Sequence, residues 1–363
     1  MYSFIIILMM EPFLQNFLLS DILSLKVEMS SKTKVIAYFR LLRFHAAASE
    51  STLILLGALL MGLRDIFLLL ILFIIGLFYH IYGYVLNDYA DIELDKKSLD
   101  LEKKPLVSDI IPKKHALFLI LFGLIGSYVF AFTYLRFLIP LCLLSLAILL
   151  GGIYDLYGKK VPGISDFIIA GSLMFAFFFG ASAVSSPFSI PVYIVGLLIF
   201  VAIVFVNVVE GGLKDVDHDF LTGGKTLAIL LGVKVREGRL LITKKFIGFA
   251  CGLITVCVLL LLILFMQPEI DLYQGKYIQL AIVVILLAII LVLCVRFFQL
   301  KVFDRSKIKR FYAIINALAG VLLFFGIFPI IGLVALIVLL ALPVTWYVVF
   351  NLVLYGKPLQ PDV

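Results

Sequence analysis

The chain has 363 residues, of which 64% are hydrophobic and 15% charged, with a formal net charge of +7. Soluble chains run near half apolar and a quarter charged, so a soluble enzyme, a disordered regulator and a secreted disulfide scaffold are excluded. The excess comes in uncharged blocks of about twenty residues, the length that crosses a hydrocarbon core of roughly 30 Å, and the expected fold class is an all-α, multi-pass transmembrane helical bundle.

In chain order, residues 1–28 come first. Their apolar run from Met1 to Met10 is interrupted by Glu11, Pro12, Gln15, Asn16 and Asp21. A signal peptide would carry an early positive charge and a small-residue cleavage site. Residues 1–34 are therefore expected to be an N-terminal extension lying in the membrane interface, or upstream of a start at Met29. From about residue 45 ten apolar blocks follow, at 45–63, 66–86, 116–135, 137–154, 166–184, 189–209, 246–266, 277–295, 311–330 and 333–355. Turn signals such as Ser185-Ser186-Pro187 and Gln267-Pro268-Glu269 separate several of them. The last two blocks are taken as separate spans, with one broken helix as the alternative. Alternate short gaps hold only Arg64, Arg136 and Lys276; the other 27 of the 30 Lys and Arg residues lie in the remaining loops or at the ends. That asymmetry puts the long loops and both termini on the cytoplasmic side, and it accounts for the basic charge without nucleic acid. Cys142, Cys251, Cys257 and Cys294 all fall inside apolar blocks, so they are read as packing residues and no disulfide is expected.

Chemistry has to reside in two long polar loops, 87–115 and 210–245. The first opens with Asn87-Asp88-Tyr89-Ala90-Asp91-Ile92-Glu93-Leu94-Asp95. If the helix of the second block continues, Asn87, Asp91 and Asp95 project from one face, with His80 and Tyr84 extending the stripe and Asp88 beside it. Like charges four apart repel by a few tenths of a kcal/mol even in water, and near a membrane the cost rises. A divalent cation is the simplest compensation, and an oxygen-only donor set selects a hard ion, Mg2+ in preference to zinc. The second loop reads Glu210-Gly211-Gly212-Leu213-Lys214-Asp215-Val216-Asp217-His218-Asp219, with Asp215 and Asp219 again four apart. Two acidic faces beside lysines fit a metal-bridged diphosphate, with Lys104, Lys159, Lys160, Lys214 and Lys225 as candidate contacts. His80 alone is expected to be a satisfied interior residue, and Asn316, polar within the ninth block, to hydrogen-bond a neighbouring helix.

These residues resemble the UbiA superfamily of intramembrane prenyltransferases. Asn87-Asp88-x-x-Asp91-x-x-x-Asp95 is similar to the first aspartate motif of that family, and Lys104-Pro105-Leu106-Val107-Ser108 to the Arg-Pro-Leu/Ile-x-Ser-Gly segment after it. Tyr154 and Lys159 resemble its Tyr-x4-Lys element; Asp215-x-x-x-Asp219 with Gly224-Lys225-Thr226-Leu227 resembles the second aspartate motif. The likeness covers roughly residues 35–330. It implies nine spans around a central cavity over a domain of residues 35–331, followed by an extra C-terminal span and tail at 332–363. It also implies that Asp91, Asp95, Asp215 and Asp219 carry catalysis. Asn87, Asp91 and Asp95, supported by Asp88, would ligate one Mg2+, and Asp215 and Asp219 a second. Arg43, Lys104 and Lys159, joined by Tyr154, Lys214 and Lys225, would contact diphosphate. Three departures stand out: the first-span Arg-Pro-x-Asn element reads Arg43-Phe44-His45-Ala46, the Arg before Pro105 is Lys104, and the Gly after Ser108 is Asp109.

The implied activity is transfer of a prenyl group from a polyprenyl diphosphate donor to a hydrophobic or phosphorylated lipid or aromatic acceptor, within membrane lipid. Ionisation of the allylic C–O bond needs electrostatic stabilisation of the leaving diphosphate and a water-poor chamber, which the Phe-, Gly- and Ala-rich stretch 166–183 could line. The Asp-Gly-x-x-Ala-Arg opening of the CDP-alcohol phosphotransferases is absent. A transporter would carry its ionisable groups nearer mid-span, and a scaffold has no need of intact carboxylates. For the acceptor, Ser98-Leu99-Asp100-Leu101 stands where heme- and 4-hydroxybenzoate-type members carry Arg-Thr. The pattern is nearer to geranylgeranylglyceryl-phosphate geranylgeranyltransferases, which makes an archaeal ether-lipid acceptor the lead, ahead of an aromatic quinone precursor such as 4-hydroxybenzoate or a phosphoribosyl-type acceptor.

Overall fold

The computed structural model describes residues 31–96, 101–135, 138–158, 161, 163–221, 226–272 and 276–358. The extension at 1–28 and the candidate residues Lys159, Lys160 and Lys225 lie outside these. Among the described residues nine helices are long and apolar enough to cross a membrane, and Phe44–Leu60 forms a shorter apolar one. The protein is a multi-pass helical membrane protein, and each of the ten expected blocks holds one of these ten segments.

Helix α1 (Ser31–Leu41) leads through a 3-10 turn (Phe44–Ala46) into α2 (Ala48–Leu60). At 13 residues α2 is about 20 Å long, the short member of the bundle. Asp65 caps the next helix by accepting from Leu68 N at 3.1 Å, and α3 (Ile66–Ala90) runs to the first aspartate motif, where α4 (Ile92–Asp95) follows. After it come α5 (Lys113–Tyr134), α6 (Leu138–Tyr157), α7 (Ser165–Ser182) and α8 (Ile190–Phe205). A π-helical turn (Val206–Gly211) joins α8 to α9 (Gly212–Leu221), so the sixth span continues into the second motif. Then α10 (Leu227–Leu230) precedes a hairpin of β1 (Lys234–Arg236) and β2 (Arg239–Leu241). Glu237 and Gly238 both have positive φ at its tip, the geometry of a tight two-residue turn. Three spans complete the chain: α11 (Lys244–Phe265), α12 (Tyr277–Phe298) and α13 (Arg305–Gly326), followed by a tenth segment, α14 (Phe328–Tyr355).

The last two blocks are thus separate helices. Their turn falls at Ile327, a few residues before the expected gap, and the gap itself marks a non-helical Gly332 (φ 81°) inside α14. Packing is closest in the first half. A Cβ on Gly57 of α2 would overlap the Phe177 carbonyl of α7, and one on Gly180 would overlap the Ile54 carbonyl, so the two backbones meet with nothing between them. The later spans face outward: far fewer residues of α11 and α12 are buried inside the protein than of α7. Helices apolar all round with little internal burial are what a lipid environment accepts. A second apolar cluster, including Val209, Leu213, Phe246, Phe297 and Ile308, supports the π-turn, α9 and the hairpin.

Candidate active site

Asn87 and Asp88 sit in the last turn of α3. The helix is jointed at Asp91, yet the backbone ladder persists, with Asp91 N bonded to Asn87 O at 3.1 Å and Asp95 N to Asp91 O at 2.8 Å. The motif therefore keeps its helical spacing. Asp88, Asp91 and Asp95 are all buried, and buried carboxylates need partners. Asp88 Oδ1 accepts from Arg43 Nη2 at 2.7 Å and from Lys104 Nζ at 3.1 Å, and Asp95 Oδ2 accepts from Lys104 Nζ at 2.7 Å. Lys104 thus bridges two carboxylates two helical turns apart. Asp88, expected only to support the stripe, shares its cation with Asp95. Asn87 donates Nδ2 to Asp155 Oδ1 at 3.1 Å, which leaves its carbonyl oxygen as the available donor atom.

Arg43 precedes the 3-10 turn in a left-handed conformation (φ 42°, ψ 41°). Its guanidinium lies over the Tyr84 ring, 5.1 Å from the centroid. Burial opposes its charge, and Asp88 together with Tyr84 and Tyr355 more than offsets this, leaving its pKa above the ordinary arginine value. Behind it His80 is satisfied on both nitrogens, as expected: Nδ1 meets Glu50 Oε2 at 2.8 Å and Nε2 meets the Leu42 carbonyl at 2.9 Å. A carbonyl can only accept, so Nε2 carries a proton. Tyr84 Oη donates to Glu50 Oε1 at 3.4 Å.

The second motif is built differently. Asp215 and Asp219 lie on α9 and are half-buried. Lys214 Nζ pairs with the adjacent Asp215 at 3.1 Å, and Arg305 from α13 reaches across to Asp217 Oδ1 at 2.8 Å and to the Lys214 carbonyl at 3.3 Å. One helical stretch earlier Glu210 is fully buried in the π-turn, where Oε2 accepts from Asn316 Nδ2 at 2.6 Å; Asn316 does bond a neighbouring helix. Tyr154, half-buried on α6, lies within electrostatic reach of Asp166, Asp155 and Asp91.

Glu50, Asp155, Asp217 and Arg305 did not figure as site residues in the sequence. Two of them left a signal there: Glu50 is the one acidic residue in block 45–63, and Asp155 follows directly on block 137–154. An ionisable residue within or at the end of a span is a functional candidate by default.

Among the described residues no three His, Cys, Asp or Glu side chains converge as a ready metal cluster; Asp88 and Asp95 are instead drawn onto Lys104. The donor set still suits a hard cation: buried carboxylates, an amide carbonyl on Asn87, and oxygen throughout. The arrangement can hold a polyanion at one end of the spans, between fixed cations and oxygen ligands.

These features define a membrane-embedded protein with buried carboxylates held by fixed cations at the end of a span. The sequence model of the UbiA prenyltransferase family matches residues 51–318. The chain belongs to that family and is a prenyltransferase. A comparison with curated proteins returns no match. Among solved structures, digeranylgeranylglyceryl phosphate synthase in membranes is 22% identical with a TM-score of 0.62, covering 83% of this chain and 100% of that one. A UbiA homolog from Archaeoglobus fulgidus bound to GPP and Mg2+ is 18% identical (TM-score 0.59; 82% and 100% covered). An apo UbiA homolog from Aeropyrum pernix K1 is 16% identical (TM-score 0.59; 82% and 98%). At these identities the likeness shows the fold alone.

Proposed function

We propose that the protein transfers a polyprenyl group from a polyprenyl diphosphate to a lipid-like acceptor, with geranylgeranylglyceryl phosphate as the lead acceptor and Mg2+ as cofactor. The observation that carries this is the pairing of buried Asp88 and Asp95 with Arg43 and Lys104, two cations from distant segments delivered to one acidic helix end. The resemblance to digeranylgeranylglyceryl phosphate synthase and to a homolog bound to GPP and Mg2+ supports the substrate classes.

Asn87, Asp91 and Asp95, with Asp88 beside them, and Asp215 and Asp219 from the second motif are the residues that would hold Mg2+. When bound, the ion neutralises diphosphate charge. Arg43 and Lys104 carry N–H donors that can pass from Asp88 and Asp95 to diphosphate oxygens, and Lys214, Tyr154, Lys159 and Lys225 complete the contact set. Departure of diphosphate breaks the allylic C–O bond and takes the electron pair. The acceptor oxygen then forms the new C–O bond and gives up its proton. Apolar spans exclude the water that would otherwise capture the allylic carbon. The excess of Lys and Arg in the motif-bearing loops favours a cytoplasmic site.

The test is transfer of labelled geranylgeranyl diphosphate by purified protein in lipid, with each acceptor offered separately and an EDTA control. Product with geranylgeranylglyceryl phosphate alone, lost on chelation, is the expected result. Product only with aromatic acids overturns the acceptor, and a chelator-insensitive reaction overturns the metal.

A further inference from the structure

We infer that α14, which lies wholly beyond the family match ending at residue 318, is a clamp that positions Arg43 on the first aspartate motif and thereby sets affinity for the donor diphosphate. This rests on the donor-site reading given above.

Arg43 adopts a backbone conformation that a side chain with a Cβ avoids, so its surroundings must impose it. α14 grips the chain on both sides of it. Upstream, Arg40 donates Nη2 to the Leu354 carbonyl at 2.7 Å and Nε at 3.2 Å, with its guanidinium over the Tyr355 ring at 5.0 Å. Downstream, Trp346 Nε1 donates to the Phe44 carbonyl at 2.7 Å. The Phe44 ring packs edge-on against Phe350 at 4.7 Å and against Trp346 at 5.2 Å, and His45 sits between Tyr347 at 5.7 Å and Tyr355 at 5.6 Å. Residues 40, 44 and 45 are thus each tied to the last three turns of α14. Arg43 lies between the ties with Leu41 and Leu42, and its side chain reaches Asp88 and Tyr84. Holding a cation in a strained backbone and aimed at a buried carboxylate is preorganisation: a ligand meeting it does not have to order it. Trp346 acts through Arg43 and is a positioning residue.

The experiment measures binding of labelled geranylgeranyl diphosphate, with Mg2+, to the full chain in lipid nanodiscs. Trp346→Phe keeps an aromatic ring against Phe44 and Phe350 but removes the N–H donor and the second ring of the indole. It should raise the donor Kd about three- to tenfold, the worth of one neutral hydrogen bond, with the folded protein retained. In an Arg43→Ala background the same change should add nothing, a non-additivity that simple loss of packing does not produce. Val353→Ala, on an exposed part of α14, should leave the Kd at the parent value. An equal shift in both backgrounds, or no shift in either, overturns the clamp while leaving the donor site intact. No donor binding by the parent, or Arg43→Ala at the parent Kd, overturns the site reading itself.

Discussion

The two aspartate motifs share a sequence spacing and differ in almost everything else. Asp88, Asp91 and Asp95 are buried, and two of them are fixed by cations brought from 45 and 16 residues away. Asp215 and Asp219 lie half-buried on a short helix, where Lys214 pairs with its own neighbour and Arg305 reaches Asp217. Burying a carboxylate costs several kcal/mol unless a partner repays it, whereas a solvated one is cheap to keep. The first motif is therefore preorganised by the fold. The second is held by a lysine beside it, by one partly exposed pair to α13 and by the π-turn beneath it.

The largest effect that tests this contrast is on catalysis. Asp91→Asn and Asp219→Asn should each lower prenyl transfer at least about 100-fold, the scale for removing an essential electrostatic contact. Folded yield should stay near normal in both, but only Asp91→Asn should also move the thermal midpoint. Near-normal turnover in both variants would sink the metal assignment.

Next comes stability. Lys104→Ala leaves Asp88 and Asp95 buried without their shared cation, an expected loss of about 3–5 kcal/mol. Arg305→Ala breaks a pair whose side chains are 36% and 34% exposed, so the loss should be at most about 1 kcal/mol. Denaturation midpoints of the two variants side by side decide the matter; equal losses would mean that the motifs are supported alike.

How far these differences could be read beforehand follows from their range along the chain. The ten segments and the helical spacing of both motifs were legible, because hydrophobic runs and i, i+4 periodicity are local properties. The split at Ile327 came a few residues early, yet the gap marked a real discontinuity at Gly332. The partners were not legible. Nothing near Lys104 in sequence says that it bridges Asp88 to Asp95, and nothing near His80 points to Glu50, 30 residues away. The departure at Arg43-Phe44-His45-Ala46 carried no explanation in the sequence. In the structure Phe44 and His45 are the residues that meet α14, 302 to 310 residues further on. Long-range pairs leave no periodicity, so an ionisable residue in an apolar block is the trace they do leave.

The same contrast extends to the spans. Gly180 meets backbone, so Gly180→Ala should cost about 1–3 kcal/mol through overpacking. Gly252 on α11 has open space around it, and Gly252→Ala should be neutral or stabilise by up to about 1 kcal/mol, since Gly is the poorer helix former. Thermal midpoints in one detergent compare the two; a loss at Gly252 would show that the outer helices are packed against something as tightly as α2 and α7.

The smallest expected effect isolates burial from charge pairing. Glu93 is a carboxylate two residues from Asp95 that also bonds lysines, Lys113 at 3.3 Å and Lys96 at 3.5 Å. The Lys113 hydrogen bond, aided by the charges of Lys96 and Lys113, holds its pKa below the ordinary carboxylate value. A depressed folded pKa contributes stability above the unfolded value and loses it as pH falls through the folded one, so any contribution of Glu93 is present at pH 7 and gone in strong acid. Glu93 is solvent-exposed, however, and an exposed ion pair gains little over its hydrated, separated charges. Glu93→Gln should therefore leave both the midpoint and donor binding unchanged at pH 7. A fall comparable with that of Lys104→Ala would show that the 101–113 loop hangs on its surface lysines, and the buried bridge from Lys104 to Asp88 and Asp95 would lose its special place.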